Sequence, residues 1–161
     1  MSEYSEFVNT DDVVTLYRNT SISENEDLTI SQAESFDIVS NATNETVGLI
    51  GYCYNNDPNY IDYGGNIKYR IKEEYRGNGY AKRALTLMID VLKRNTKYDQ
   101  PLYVASIPSN RNFLNVAKEC GGVLIHSGKV PTSVISSFYD REMRNVEVYQ
   151  INIEKIKDKN I

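Results

Sequence analysis

The chain contains no tryptophan, one histidine, two cysteines and four prolines in 161 residues. Cys53 and Cys120 do not form a metal-ligand spacing, so no metal site is expected, and two cysteines so far apart read as reduced thiols. The lone His126 reads as structural. No apolar run approaches the ~20 residues of a membrane span, and Met1-Ser2-Glu3-Tyr4 does not open like a signal peptide. These absences predict a cytoplasmic protein without a membrane partner. A basic surplus is missing too, the net charge being −4. A duplex binder normally carries a positive patch that neutralises phosphates, so no nucleic-acid partner is expected.

Apolar residues nevertheless make up 40% of the chain, enough for one compact domain over 1–161 with its own core. The thirteen tyrosines are scattered, which favours biased codon usage over an aromatic binding face. No repeat, low-complexity tract or linker divides the chain. Strands are predicted at 13–17, 35–39, 47–54, 65–71, 102–105, 122–126 and 146–153, several of them alternating apolar and polar residues. From Gly79 to Lys93, Ala81, Ala84, Leu85, Met88, Val91 and Leu92 recur at three- and four-residue steps, the apolar stripe of a helix. A second helix is capped by Ser109 or Asn110 and closes at Gly121. Residues 127–143 read as a long connection. The pattern is α+β.

Arg76-Gly77-Asn78-Gly79-Tyr80-Ala81 stands between the fourth strand and the first helix. Two glycines let a ligand approach the backbone closely. Amides at a helix start point outward, and the helix dipole adds partial positive charge there. Strand, glycine turn and helix start together make a cradle for phosphate oxygens. A nicotinamide-dinucleotide turn would carry a third glycine or alanine where Lys82 stands, and it usually begins its sheet there. A nucleoside-triphosphate loop would carry Lys and then Ser or Thr where Tyr80 and Ala81 stand. Neither pattern fits.

Arg76-x-x-Gly79-x-Ala81 after a strand instead resembles the pyrophosphate signature of the GNAT superfamily, the GCN5-related N-acetyltransferases. The longer run from Ile71 to Ala81 carries the same resemblance. So does the helix segment from Asn110 to Gly122, and Tyr63-Gly64-Gly65-Asn66-Ile67 is similar to one bacterial subgroup. The resemblance covers roughly residues 34–153. It implies a mixed, mostly antiparallel sheet of about six or seven strands, splayed at the fourth and flanked by helices. Acetyl-coenzyme A is the implied cosubstrate, held by the amides of Arg76, Gly77, Asn78, Gly79, Tyr80 and Ala81.

Further roles follow from the same resemblance. The amide of Ile71, at the splay, becomes the donor to the carbonyl oxygen as it gains charge. Asn110 falls near the cofactor arm, where its other reading is a helix cap. Phe113 stands where the family usually has Ser or Ala, narrowing the groove. The position of the family's helix tyrosine, a proton donor, holds Ala117, so the acid is assigned instead to Tyr139 in the later connection. Asp62 is the acceptor-side candidate for a base, while Glu73 and Glu74 read as solvated charge.

The implied activity is acetyl transfer to a primary amine, on a small molecule or a peptide, by direct attack. The alternative is a coenzyme A-binding sensor or interaction module without turnover, favoured by Ala117 and Phe113. An acyl group other than acetyl is a further variant. In the superfamily the last strand can pair with a second copy, so a homodimer is allowed.

Overall fold

The structure, a computed structural model, describes residues 5–19, 34–54, 63–131 and 145–155. Its first element is one the sequence pattern does not predict. β1 (Ser5–Thr10) pairs antiparallel with β2 (Val14–Asn19). Asp11 ties the turn between them, its Oδ1 accepting from the amides of Val13 and Val14 at 2.7 Å each. Of the apolar pair in β1, Val8 packs on the core while Phe7 is 58% exposed. The strand therefore lacks the alternating apolar face that marks its neighbours.

β3 (Glu34–Ser40), β4 (Thr46–Tyr52) and β5 (Ile67–Ile71) complete a five-stranded sheet in the order β1-β2-β3-β4-β5. β6 (Leu102–Ser106), β7 (Val123–Lys129) and β8 (Asn145–Ile151) form a three-stranded sheet with β8 in the middle. Every ladder is antiparallel. The α+β class and the splay agree with expectation. The strand count is close to the six or seven expected. The sheet is five strands plus three, broken between β5 and β6.

Between those two strands lies α1 (Tyr80–Arg94), which buries Ala84, Leu85, Leu87, Met88 and Leu92. α2 (Arg111–Glu119) follows β6 and buries Leu114 and Ala117. A fully buried leucine or methionine contributes ~1.5–3 kcal/mol, so this helix stripe fixes α1 on the sheets. One core cluster joins Phe36, Ile38 and Ile50 of the first sheet to Leu102, Val104 and Tyr149 of the second. The two sheets therefore fold as one body despite the break.

Asn66 holds the sheets together at that break. It is 1% exposed. Its amide donates to the Tyr103 carbonyl at 2.9 Å, and its Oδ1 accepts from the Tyr103 amide at 2.7 Å. Its Nδ2 donates to the Tyr98 hydroxyl at 3.1 Å and to the Pro101 carbonyl at 3.3 Å. Beyond Asn66 no ladder joins β5 to β6. The strands part, and a groove opens.

Candidate active site

The glycine turn leaves a row of backbone donors unused. Gly77 and Gly79 sit at φ +86° and +75°, a left-handed conformation that costs other residues roughly 1–2 kcal/mol. A Cβ added at either would meet no atom within 4 Å, so the space over the loop is open. Gly79 is the N-cap of α1. Among the described residues no acceptor is bonded to the amides of Gly77, Asn78, Gly79, Tyr80, Ala81 or Lys82. Asn78 braces the turn from below, its Nδ2 donating to the Tyr75 carbonyl at 2.9 Å.

β5 continues this row. Lys72 donates its amide to the Val47 carbonyl at 2.8 Å, and Ile71 lies opposite Gly48. Backbone groups alternate sides along an antiparallel strand, so Tyr69 and Ile71 turn theirs away from β4 and toward the splay. The Ile71 carbonyl on that side accepts from Arg76 Nε at 3.0 Å, which folds the arginine back over the strand end.

A single groove of about 1180 Å³ runs along these groups, from Gly77, Tyr80 and Lys82 past Ile71 and Tyr69 to Asn66. Ordinary ligand pockets span ~300–1,000 Å³, so this one suits a long ligand. Its second wall carries Ser106 at the end of β6 and Asn110, Phe113 and Val116 from the α2 region. Phe113 stacks on Tyr69 with ring centroids 4.4 Å apart, and the Tyr69 hydroxyl donates to the Phe113 carbonyl at 2.5 Å. Burial pushes the Tyr69 phenol well above its ordinary pKa, so it stays a fixed donor. Arg111 Nη2 pairs with Glu147 Oε2 at 2.7 Å, which pins the start of α2 to β8.

The far end of the groove is lined by Glu34, Tyr52 and Cys53. The Tyr52 hydroxyl donates to Glu34 Oε2 at 3.0 Å, and Arg18 Nη2 reaches the same oxygen at 3.4 Å. Burial, and then the Glu34 charge, push the Tyr52 pKa up strongly. Tyr52 is thus a phenol at neutral pH, and Glu34 Oε1 has no bonded partner among the described residues.

Open amides at the turn, a backbone row along the splayed strand and one long groove leave room for a ligand with an anionic head and an extended arm. A family model described as an acetyltransferase (GNAT) domain matches residues 3–123. The chain belongs to the GNAT acetyltransferase family. Acetyl-coenzyme A is its cosubstrate, and the unused amides and groove length fit that molecule. Solved structures share the fold. A ribosomal L7/L12 α-N-protein acetyltransferase in complex with coenzyme A is similar over 92% of this chain and 98% of its own, at 14% identity and a TM-score of 0.66. A ribosomal-protein-S5-alanine acetyltransferase from Vibrio fischeri covers 87% of this chain and 71% of its own, at 17% identity and a TM-score of 0.58. A dodecameric spermidine N-acetyltransferase from Vibrio cholerae covers 83% and 68%, at 18% identity and 0.52. A search of curated proteins found no match.

In this acetyltransferase the sequence-predicted cofactor residues come together. Ile71, Arg76, Gly77, Gly79, Tyr80, Ala81 and Asn110 all line the one groove, with Asn78 in the turn, but the Arg76 amide is not a free donor, because it is spent on the Glu73 carbonyl at 3.2 Å. Asn110 is the N-cap of α2, yet its side chain makes no cap bond. Its Nδ2 donates instead to Ser106 Oγ at 3.1 Å. Ala117 is fully buried and carries no donor. Tyr139 and Asp62, the acid and base candidates, lie outside the described residues. Sequence reasoning missed Tyr52, Ser106 and Lys82, and it reached Glu34 only as the end of the 18–34 stretch expected, with 54–63 and 127–143, to build the acceptor pocket. Lys82 carried a readable signal, a cation in the first turn after the glycine loop. Glu34, Tyr52 and Ser106 meet the groove only through strand pairing, so no local motif announces them.

Proposed function

We propose that the protein transfers the acetyl group of acetyl-coenzyme A to a primary amine by direct attack. The observation that carries this reading is two sets of unbonded amides on one groove, Gly77 through Lys82 in the turn and Ile71 and Tyr69 along β5. The amides of the turn hold the pyrophosphate, with Arg76 beside them. The Ile71 amide, facing the splay, donates to the carbonyl oxygen as charge builds there. One such preorganised donor is worth ~3–4 kcal/mol of barrier. Asn110 flanks the pantetheine arm.

The acceptor enters from the Glu34 end. An amine with a pKa near ~10 must shed a proton before attack, and a carboxylate assists through water. Glu34 joins Asp62 as a candidate for that task, and Tyr139 as proton donor completes the proposal. The similar structures' names include acetylation of protein α-amino groups and of spermidine, which supports an amine acceptor of small-molecule or peptide kind.

Calorimetry with acetyl-coenzyme A, followed by thiol-release assays over a panel of primary amines, tests the reading. Binding with turnover on one of those amines is expected. Binding without turnover on any of them would favour the sensor reading, which the buried Ala117 and the Phe113 ring suggest.

A further inference from the structure

The geometry points to Ser106 as the hydrogen-bond donor to the departing coenzyme A sulfur, with Asn110 as the residue that positions it. This deepens the acetyl-transfer reading and rests on it.

Ser106 is the last residue of β6, on the wall facing the outward amides of Tyr69 and Ile71, and it lines the same groove. Its hydroxyl oxygen is already claimed as an acceptor, because Asn110 Nδ2 donates to it at 3.1 Å. A hydroxyl has one proton and two lone pairs. With Asn110 on a lone pair, the proton remains, and no acceptor among the described residues takes it. The donor from Asn110 also polarises the hydroxyl, since chained hydrogen bonds strengthen one another.

The mounting is rigid. Ser106 lies opposite Glu147 in the β6–β8 ladder, and Glu147 holds Arg111 at 2.7 Å. Arg111 directly follows Asn110, so a single ion pair fixes both the helix start and the strand end. Contacts then cross the splay from Ser106 to Asn110, up α2 to Phe113, and by stacking to Tyr69 on β5. The hydroxyl therefore stands beside the opening where the thioester would lie.

In the transfer the amine nitrogen bonds to the carbonyl carbon and the carbon–sulfur bond breaks, its electron pair going to sulfur. The proton lost by the nitrogen goes to water. The sulfur, as thiolate, accepts the Ser106 hydroxyl hydrogen bond, and its proton then comes from the proton donor of the proposed function, which recovers one from water. Ser106 ends each cycle unchanged.

Free coenzyme A serves as the probe, because its thiol is the leaving group and no acceptor need be known. The thiolate absorbance of bound coenzyme A is titrated in the wild-type protein, in S106A and in N110A. Each trace is read as the difference between loaded and unloaded protein, which cancels Cys53 and Cys120. The expected result is that S106A leaves coenzyme A affinity within about twofold yet weakens the acidity of the bound thiol ~10-fold, the scale of one hydrogen bond to a charged group. N110A gives a smaller shift in the same direction, and the double variant adds little to S106A alone. With acetyl-coenzyme A and an acceptor amine, kcat falls in S106A. An acetyl-selenol analogue, whose leaving group needs less help, recovers most of that loss. Equal affinity with identical thiol titrations overturns the assignment of Ser106 while leaving the site intact. Absence of coenzyme A binding by the wild-type protein overturns the underlying reading and this one with it.

Discussion

The two ends of the groove are built from different materials. At the α1 end the groups proposed to bind are backbone amides, exposed because Gly77 and Gly79 turn through positive φ and because β5 leaves one side unpaired. At the β3 end they are side chains, Glu34 and Tyr52, with Arg18 behind them. The sequence requirement of a backbone site is the absence of bulk. A side-chain site is specific to its own residues and can change without disturbing the fold. Such a division suits an enzyme family with one acetyl donor and varied acceptors.

The sharpest way to break this comparison is Gly79→Val. A β-branched residue is strained at φ +75°, and its side chain would fill space that no protein atom occupies. Acetyl-coenzyme A affinity measured by calorimetry should fall ~100-fold or more, equivalent to ~2.7 kcal/mol, while the thermal midpoint moves by only a few degrees. Unchanged affinity would show that side chains rather than amides hold the phosphates.

The same contrast explains what was legible in the sequence. Gly77, Gly79 and Ala81 mark their site locally, within one short stretch, and the apolar stripe of α1 marks its own buried face. Both were readable without knowing the fold. Glu34 and Tyr52 lie far apart in the chain and meet because β3 and β4 pair with Glu34 opposite Tyr52, a register that no single segment encodes. β1 was illegible for another reason. Its support comes from contacts with α1, where Asn9 Nδ2 donates to the Leu87 carbonyl at 3.2 Å and Arg83 pairs with Asp11 and Asp12 at 3.3 and 3.1 Å. Asn110 was legible in position but not in use, because its cap geometry and its bond to Ser106 are separate facts.

Asn66 belongs to neither end, and that makes it a test of whether the ends depend on a common junction. Asn66→Ala removes the acceptor of the Tyr103 amide and the donor to Tyr98 and Pro101, all in a buried setting. The Tyr98 hydroxyl keeps its bond to the Pro101 carbonyl at 3.0 Å, so the main loss is the acceptor of the Tyr103 amide, worth ~1–3 kcal/mol, and unfolding in denaturant should show a loss of that size. Coenzyme A affinity should fall with it, since the spacing of β5 and β6 is set there. Full affinity in a destabilised variant would mean that the turn at Gly77 and Gly79 binds without help from the splay.

Glu34→Gln probes the side-chain end alone. The amide keeps the shape and can still accept from Tyr52, but the negative charge is gone. KM for a cationic amine should rise ~10-fold, the loss of one charge-assisted contact, with acetyl-coenzyme A affinity unchanged. A fall in cofactor affinity instead would show that the two ends are not separable. An unchanged KM would move the acceptor site away from Glu34.

The smallest effect, and the finest test of the division, is at Lys82. Its amide is in the turn's donor row, yet its ammonium is a side-chain charge on the same groove. That ammonium reaches Glu119 Oε2 at 3.8 Å, with the two side chains 54% and 56% exposed. A pair so exposed is worth ~0–1 kcal/mol and is screened by salt, so Glu119 does not hold Lys82 away from a ligand. Lys82→Ala keeps the amide and deletes only the charge. If amides do most of the holding, coenzyme A binding weakens ~3-fold in dilute buffer, and the difference from wild type vanishes near 1 M salt, where charges are screened within ~3 Å. A loss as large as that of Gly79→Val would place the grip in the ammonium, and the contrast between a backbone end and a side-chain end would no longer describe this groove.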